Sequence, residues 1–296
     1  MTRIYLFPGQ GSQKIGMGAE LFSRFPEQVA IADAELGYSV AELCLRDTSD
    51  QINQTQFTQP ALFVVNGLAF LNRLIETGKL PHFVAGHSLG EYNALFAAGV
   101  FDFQTGIRLV KQRANLMSRA IGGGMAAVIG LKSDQIRRVL GASKLDTLEI
   151  ANLNSPLQSV ISGPEIDLMQ SQSILEQAGA QLWKRLAVSA AFHSRYMKEV
   201  EQEFEAFLRP FEFANPRIPV LSNVTAQLHV HSNLKKTLAR QITEPVRWTE
   251  TIQWLLGQSE PDFLELGPGT VLTGLLRRIK MESNPEIATL PRPVTL

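Results

Sequence analysis

Val84-Ala85-Gly86-His87-Ser88-Leu89-Gly90-Glu91 sets a serine midway between two glycines, directly after the apolar run Phe83-Val84-Ala85. The run Tyr92-Asn93-Ala94-Leu95-Phe96-Ala97-Ala98 behind it has the composition of a helix. Strand, G-x-S-x-G and helix, in that order, are the context of a nucleophile elbow. The turn is so sharp that bulky residues at Gly86 and Gly90 would clash, and the Ser88 hydroxyl is pushed out above the sheet edge. The helix behind aims its N-terminal amides and dipole at negative charge developing there. The competing interpretation is a Gly-rich turn with an ordinary serine. The flanking strand and helix favour the nucleophile.

Outward from this turn the chain reads as α/β. Ile4–Phe7 is expected to be a buried strand ending in the Gly-rich turn Pro8-Gly9-Gln10-Gly11-Ser12-Gln13. Gln59–Ile75 carries Ala61, Val64, Leu68, Leu71 and Ile75 at helical spacing, with Pro60 in an allowed first-turn position. A second strand is expected over His82–Ala85, and a helix from Phe103 to about Arg119 follows the elbow helix. Alternating strands and helices imply a mainly parallel sheet covered on both faces.

The pattern changes at Ile121-Gly122-Gly123-Gly124. Strand Met125–Ile129, helix Ser133–Leu140, strands Thr147–Asn152 and Gln158–Ser162, helix Glu165–Ala178 and strand Gln181–Val188 follow. That β-α-β-β-α-β order is the ferredoxin-like unit. It is expected as an inserted small domain over residues 124–191, hinged at the triple glycine and at Ser189-Ala190-Ala191. Residues 1–123 and 192–296 then form the large, α/β-hydrolase-like domain. Its second half is expected to hold helix Tyr196–Leu208, strand Ile218–Ser222, a helix before Pro245, strand Phe263–Leu266, the turn Gly267-Pro268-Gly269 and helix Val271 to about Lys280. The Pro-containing tail from Asn284 is expected to be loosely held.

Composition limits the classes. The chain has 296 residues, 45% hydrophobic and 19% charged, enough for a sizeable core and more than one domain. Its net charge is zero and no lysine-arginine block is interleaved with aromatics, which argues against a nucleic-acid partner. The apolar run near Met1 is too short for a signal peptide, and no run reaches a membrane span. Cys44, the only cysteine, forms no internal disulfide and is expected as a small core residue. A reducing cytoplasm, no membrane contact and a monomeric state are the matching expectations.

A nucleophilic serine needs a base. Of the five histidines, His87 adjoins Ser88 but points elsewhere, and His82 begins a strand. His229 and His231 lie in a polar stretch that reads as solvated surface. His193, in Ala190-Ala191-Phe192-His193-Ser194, sits where the inserted unit returns to the main one, a common place for a cleft. From spacing alone, base and structural histidine both remain open for it.

Pro8-Gly9-Gln10-Gly11-Ser12-Gln13, Gly86-His87-Ser88-Leu89-Gly90-Glu91, Gln112-Arg113, Asn154-Ser155-Pro156, Ala191-Phe192-His193-Ser194 and Gly267-Pro268-Gly269 occur in this order. Together they resemble the malonyl-CoA:acyl carrier protein transacylases over roughly residues 3 to 282. Gln54-Thr55-Gln56-Phe57-Thr58-Gln59-Pro60-Ala61 and Leu95-Phe96-Ala97-Ala98-Gly99-Val100-Phe101-Asp102 are similar to the free-standing acyltransferases that serve polyketide synthases lacking their own transferase domain. The resemblance implies Ser88 as the nucleophile that takes malonyl from coenzyme A as an ester and passes it to a phosphopantetheine thiol. It implies His193 as general base, oriented by the backbone carbonyl of Gln241 in place of a carboxylate. It implies an oxyanion hole from the amides of Gln10 and Leu89.

Arg113 matches the family arginine that binds the malonyl carboxylate through two parallel hydrogen bonds; without the resemblance it reads as a surface arginine. Phe192 resembles the malonyl-selective pattern, where methylmalonyl-selective relatives carry serine. Ala190 departs from the glycine of many free-standing relatives. Gln59, Asn154 and His87 match positions around the family's substrate site. No metal or redox cofactor is implied, malonyl-CoA being a substrate, and acyl carrier protein is the expected partner. Carrier proteins are generally acidic, which makes Arg277, Arg278, Lys280, Lys235 and Lys236 candidates for contact. Two alternatives share these residues: a proofreading acyl hydrolase in which water attacks the ester, and a non-catalytic carrier-docking module with a degenerate site.

Overall fold

The computed structural model describes residues 1–188 and 190–283. Along the chain run β1 (Thr2–Phe7), α1 (Ala19–Arg24), α2 (Pro26–Leu36), α3 (Val40–Leu45), α4 (Thr55–Thr77), β2 (Phe83–Gly86), α5 (Gly90–Ala97) and α6 (Phe103–Arg119). Next come β3 (Gly123–Ile129), α7 (Ser133–Ala142), β4 (Glu149–Ser155), β5 (Gln158–Pro164), α8 (Glu165–Gln177) and β6 (Leu182–Arg185). The chain closes with α9 (Lys198–Leu208), α10 (Leu234–Arg240), α11 (Trp248–Leu256), β7 (Pro261–Glu265) and α12 (Val271–Ser283).

Two sheets result. One is parallel with the order β2-β1-β7, and its register sets Phe7 opposite Gly86 and Leu6 opposite Glu265. Its strands are apolar on both faces because helices cover both. Tyr5 and Phe7 pack into one cluster with α4, α5 and α6, while Ile4 and Leu6 pack into another with α11 and α12. The second sheet is antiparallel in the order β4-β5-β3-β6, the strand order of a ferredoxin-like unit. Strand period decides how it packs. Ala126, Val128 and Ile161 face a core of their own with α7 and α8, whereas Met125, Ala151 and Val160 turn to the large cluster.

Several elements differ from expectation. The long helix begins at Thr55, so Pro60 lies in its second turn, where it forfeits the bond to the Gln56 carbonyl. Ile218–Ser222 forms no strand of a sheet; it lies beside β2 through an isolated parallel bridge, Val84 with Val220. Pro219 explains this, because it cannot donate to a ladder. Gly123 and Gly124 of the expected hinge are the first two residues of β3, paired with Pro164 and Gly163. The closing strand is shorter, Leu182–Arg185, and the expected helix start at Tyr196 is a single 3-10 turn, Arg195–Met197. α1, α2, α3 and α11 carried no expectation. Ser189 of the second hinge and the tail from Asn284 lie outside the described residues. Cys44 is buried as expected, and burial raises its thiol to about 12. No described helix is long and apolar enough to cross a membrane.

Candidate active site

The elbow is built by contact. A Cβ at Gly86 would lie 1.9 Å from the Gly90 carbonyl carbon, and one at Gly90 would lie 2.0 Å from the Phe7 oxygen. Between them Ser88 takes φ 51°, the left-handed region that costs a non-glycine residue about 1–2 kcal/mol. The first loop presses on this turn: a Cβ at Gly9 would sit 2.4 Å from the His87 oxygen and 3.7 Å from the Leu89 nitrogen. Only glycine lets the chain at Gln10 come this close to the elbow.

Ser88 Oγ lies 2.8 Å from His193 Nε2. His193 Nδ1 is 2.7 Å from the Gln241 carbonyl and 3.2 Å from that of Glu244. A carbonyl can only accept, so Nδ1 carries the proton and Nε2 offers its lone pair to the serine hydroxyl. Burial, and after it the Arg113 charge, hold the imidazole far below its usual range, at about 3. The ring is therefore neutral at physiological pH.

Arg113 is completely buried. It sits on the apolar face of α6, with Leu109, Val110, Leu116 and Met117 three or four residues away. That spacing was a signal against a surface arginine, and the surface interpretation is corrected. Its guanidinium donates to Gln59 Oε1 at 2.6 Å, to Gln241 Oε1 at 3.0 Å and to Ser88 Oγ at 3.1 Å. The Tyr92 ring lies 5.5 Å from it. Among the described residues no carboxylate forms an ion pair with it. The guanidinium is thus a buried cation held by neutral acceptors, a charge that an anionic group could meet at close range.

The remaining expected residues lie in different places around the site. Gln59 and Gln241 meet at Arg113, and Gln59 Nε2 also contacts Met117 Sδ at 3.5 Å. His87 points away from Ser88, as expected: its Nε2 donates to Asn154 Oδ1 at 2.8 Å and its ring stands edge-on to Trp248. That bond joins the elbow to β4 of the antiparallel sheet. Burial lowers the His87 pKa, so this ring is also neutral. Phe192 is buried in the large cluster next to His193. The Gln10 side chain donates to Thr55 Oγ1 at 3.3 Å, across the mouth of the first loop.

Sequence reasoning missed three groups. His229 is not solvated surface: its side chain is 1% exposed and its Nε2 lies 2.5 Å from Glu91 Oε1, inside the protein. Glu91 is fully buried and accepts from Gln241 Nε2 and from the Asn223 backbone as well. Asn223 carried no signal: it stands directly after the expected strand Ile218–Ser222, with no motif around it. His231 is on the surface as expected. Among the described residues no three His, Cys, Asp or Glu side chains gather as metal ligands.

A parallel sheet with a serine on a strand–turn–helix elbow, joined to a ferredoxin-like antiparallel sheet, places the chain in the class of mixed α/β proteins with a nucleophile elbow. Residues 4–291 match the model of the acyl transferase domain, and the chain belongs to that family. It is 51% identical over 95% of its length to the polyketide biosynthesis protein PksE of Bacillus subtilis, but spans 37% of that protein. It is 50% identical over 94% of its length to the same organism's polyketide biosynthesis malonyl CoA-acyl carrier protein transacylase PksC, and spans 97% of it. The crystal structure of a malonyl CoA-acyl carrier protein transacylase from Burkholderia pseudomallei superposes with a TM-score of 0.93 at 46% identity, covering 96% of this chain and 99% of that one.

Proposed function

We propose that this acyltransferase moves malonyl from malonyl-CoA to the phosphopantetheine thiol of an acyl carrier protein, through an ester on Ser88, in polyketide or fatty acid synthesis. One observation carries the reading: Ser88 Oγ touches both His193 Nε2, at 2.8 Å, and Arg113 Nη2, at 3.1 Å. A hydroxyl, the base that would deprotonate it and a buried cation without a carboxylate thus meet within the reach of one short acyl group. The names of the relatives point to the same donor and acceptor.

The chemistry follows in two halves. Ser88 Oγ attacks the thioester carbon as His193 Nε2 takes its proton, and the tetrahedral oxyanion is held by the amides of Gln10 and Leu89. Collapse breaks the carbon–sulfur bond, and the imidazolium returns the proton to the departing thiolate. The Gln241 carbonyl holds the ring so that the same nitrogen serves both transfers. In the second half the carrier thiol gives its proton to Nε2 and attacks the ester carbon; the carbon–oxygen bond breaks and the imidazolium returns the proton to Ser88 Oγ. The malonyl carboxylate exchanges for Ser88 Oγ as a partner of Arg113, and its charge offsets the Arg113 repulsion, which after burial is the second cause of the low His193 pKa. The base strengthens when the right acyl group arrives.

The reading uses no metal or redox cofactor. It takes residues 1–123 and 192–296 as the catalytic unit and 124–191 as the smaller one, with the His87–Asn154 bond between them. Intact-protein mass after separate exposure to malonyl-CoA, acetyl-CoA and methylmalonyl-CoA tests it. A malonyl adduct on Ser88 that leaves only when carrier protein is added is expected. An adduct that water removes as quickly without carrier would make the protein a hydrolase.

A further inference from the structure

We infer that Asn223 is a positioning residue for the nucleophile: its side-chain amide clamps the two peptide groups on either side of His87 and so sets the direction of Ser88 Oγ. The inference rests on Ser88 being the nucleophile.

Asn223 Oδ1 accepts from the Ser88 backbone N–H at 2.7 Å, and its Nδ2 donates to the Gly86 carbonyl at 2.7 Å. The orientation of the amide is unambiguous, because a peptide N–H can only donate and a carbonyl can only accept. The two bonds span the point where the chain leaves β2 and turns into the left-handed conformation of Ser88. A backbone held in that region persists only where its surroundings over-determine it. The direction of Oγ follows from the backbone that carries it, and its 2.8 Å contact with His193 depends on that direction.

The clamp is itself braced from within. The Asn223 backbone N–H donates to Glu91 Oε2 at 3.1 Å, and the Gln241 Nε2 that donates to this oxygen at 2.6 Å also donates to the Ser88 carbonyl at 2.9 Å. His229 closes the other side of the Glu91 carboxylate. Asn223, Glu91 and Gln241 are each at most 1% exposed. The run before Asn223 lies along β2, with Val84 donating to the Pro219 carbonyl at 3.1 Å and Leu221 donating to that of Val84 at 3.2 Å. An irregular segment is thereby held at the sheet edge, with the amide delivered to the elbow. Gln241 consequently serves Arg113, Ser88 and Glu91 at once and reaches Asn223 Oδ1 at 3.5 Å, whereas Asn223 touches the elbow directly and, among the described residues, has no contact of its own with Arg113.

The test compares wild type, Asn223→Ala and Asn223→Asp in single-turnover acylation by malonyl-CoA and by acetyl-CoA, with the adduct mapped by peptide mass. Asn223→Ala is expected to slow acylation about 10²-fold, the scale of an ångström-sized misplacement, for both donors alike and with KM for malonyl-CoA unchanged. In Asn223→Asp the ionised carboxylate cannot donate to the Gly86 oxygen and faces Glu91, with His229 behind that group and Arg113 beyond Gln241. Its neutral form restores the donor, so the rate relative to wild type should rise as pH falls. Wild-type acylation by Asn223→Ala, a loss confined to KM, or an Asn223→Asp to wild-type ratio that ignores pH would each overturn the inference. If Asn223→Ala does not fold, the pH ratio of Asn223→Asp decides alone. Mapping of the wild-type adduct to a residue other than Ser88 would overturn the nucleophile reading instead, and the inference with it.

Discussion

Gln241 meets His193 with its main chain and leaves its side chain free for other work: the carbonyl accepts from Nδ1 at 2.7 Å, while Oε1 accepts from Arg113 at 3.0 Å. The base and the buried cation are therefore indexed to the same residue. A carboxylate in place of the side-chain amide would neutralise Arg113 and remove its use for a substrate anion. A neutral acceptor fixes the tautomer without competing for the guanidinium.

Ser88→Ala should abolish the malonyl adduct while leaving the fold intact. Alanine and serine share the same backbone preference against the left-handed region, so only the hydroxyl is lost. Intact mass and a thermal melt check this; a malonylated Ser88→Ala protein would end the mechanism.

His193→Ala should slow acylation on the order of 10²–10⁴-fold, the usual cost of losing a general base. Near-normal single-turnover acylation by that variant would assign the proton to another group.

The pH profile carries a sign. Burial first and the Arg113 charge second push the His193 pKa down to about 3, so the free enzyme keeps its base neutral well into the acid range. kcat/KM for malonyl-CoA should show no fall from His193 protonation near its ordinary value of about 6.5. Arg113→Ala removes the second cause, and the acid limb measured with acetyl-CoA should move to higher pH. An acid limb that stays put, or moves lower, would show that the guanidinium does not act on the ring.

Arg113→Ala should lower the malonyl rate far more than the acetyl rate. A malonate carboxylate buried without a partner costs roughly 2–5 kcal/mol in a dry site. Arg113→Lys should not rescue it, because an ammonium cannot reproduce the fork that reaches Gln59, Gln241 and Ser88 together. Equal losses for both donors would make Arg113 structural.

For the carrier protein the structure narrows the candidates. Lys235, half-buried, donates to the Arg209 carbonyl and Arg278 is half-buried; Lys280 is exposed but lies over the Phe263 ring, whereas Arg277 and Lys236 are exposed with no such contact among the described residues. Charge reversal at Arg277 and Lys236 should raise the carrier KM and flatten its salt dependence, because steering by opposite charge is screened by ions. Self-acylation from malonyl-CoA should be unchanged. An unaltered KM at low salt would place docking elsewhere.

The elbow was legible in the sequence because its cause is local. Gly86 and Gly90 are each required by contacts within a few residues or with the neighbouring strand, and the apolar runs on either side declare strand and helix. The ferredoxin-like order was legible for the same reason, since strand period and helix period alternate visibly from Met125 to Arg185. Arg113 was half legible: its apolar neighbours on α6 put it on the buried face, but nothing local says what a buried guanidinium faces. His193 as the partner of Ser88 and the carbonyl of Gln241 behind it were legible only through the family resemblance, and the hidden group of Glu91, His229 and Asn223 was decided by tertiary structure alone. They come from segments up to 153 residues apart, as in the bond from Gln241 to the Ser88 carbonyl. Composition near His229 is polar because its neighbours are solvated, and a single side chain turned inward leaves no trace in such a pattern. Periodicity reports which face of an element is buried; it cannot report which distant polar group waits on the other side.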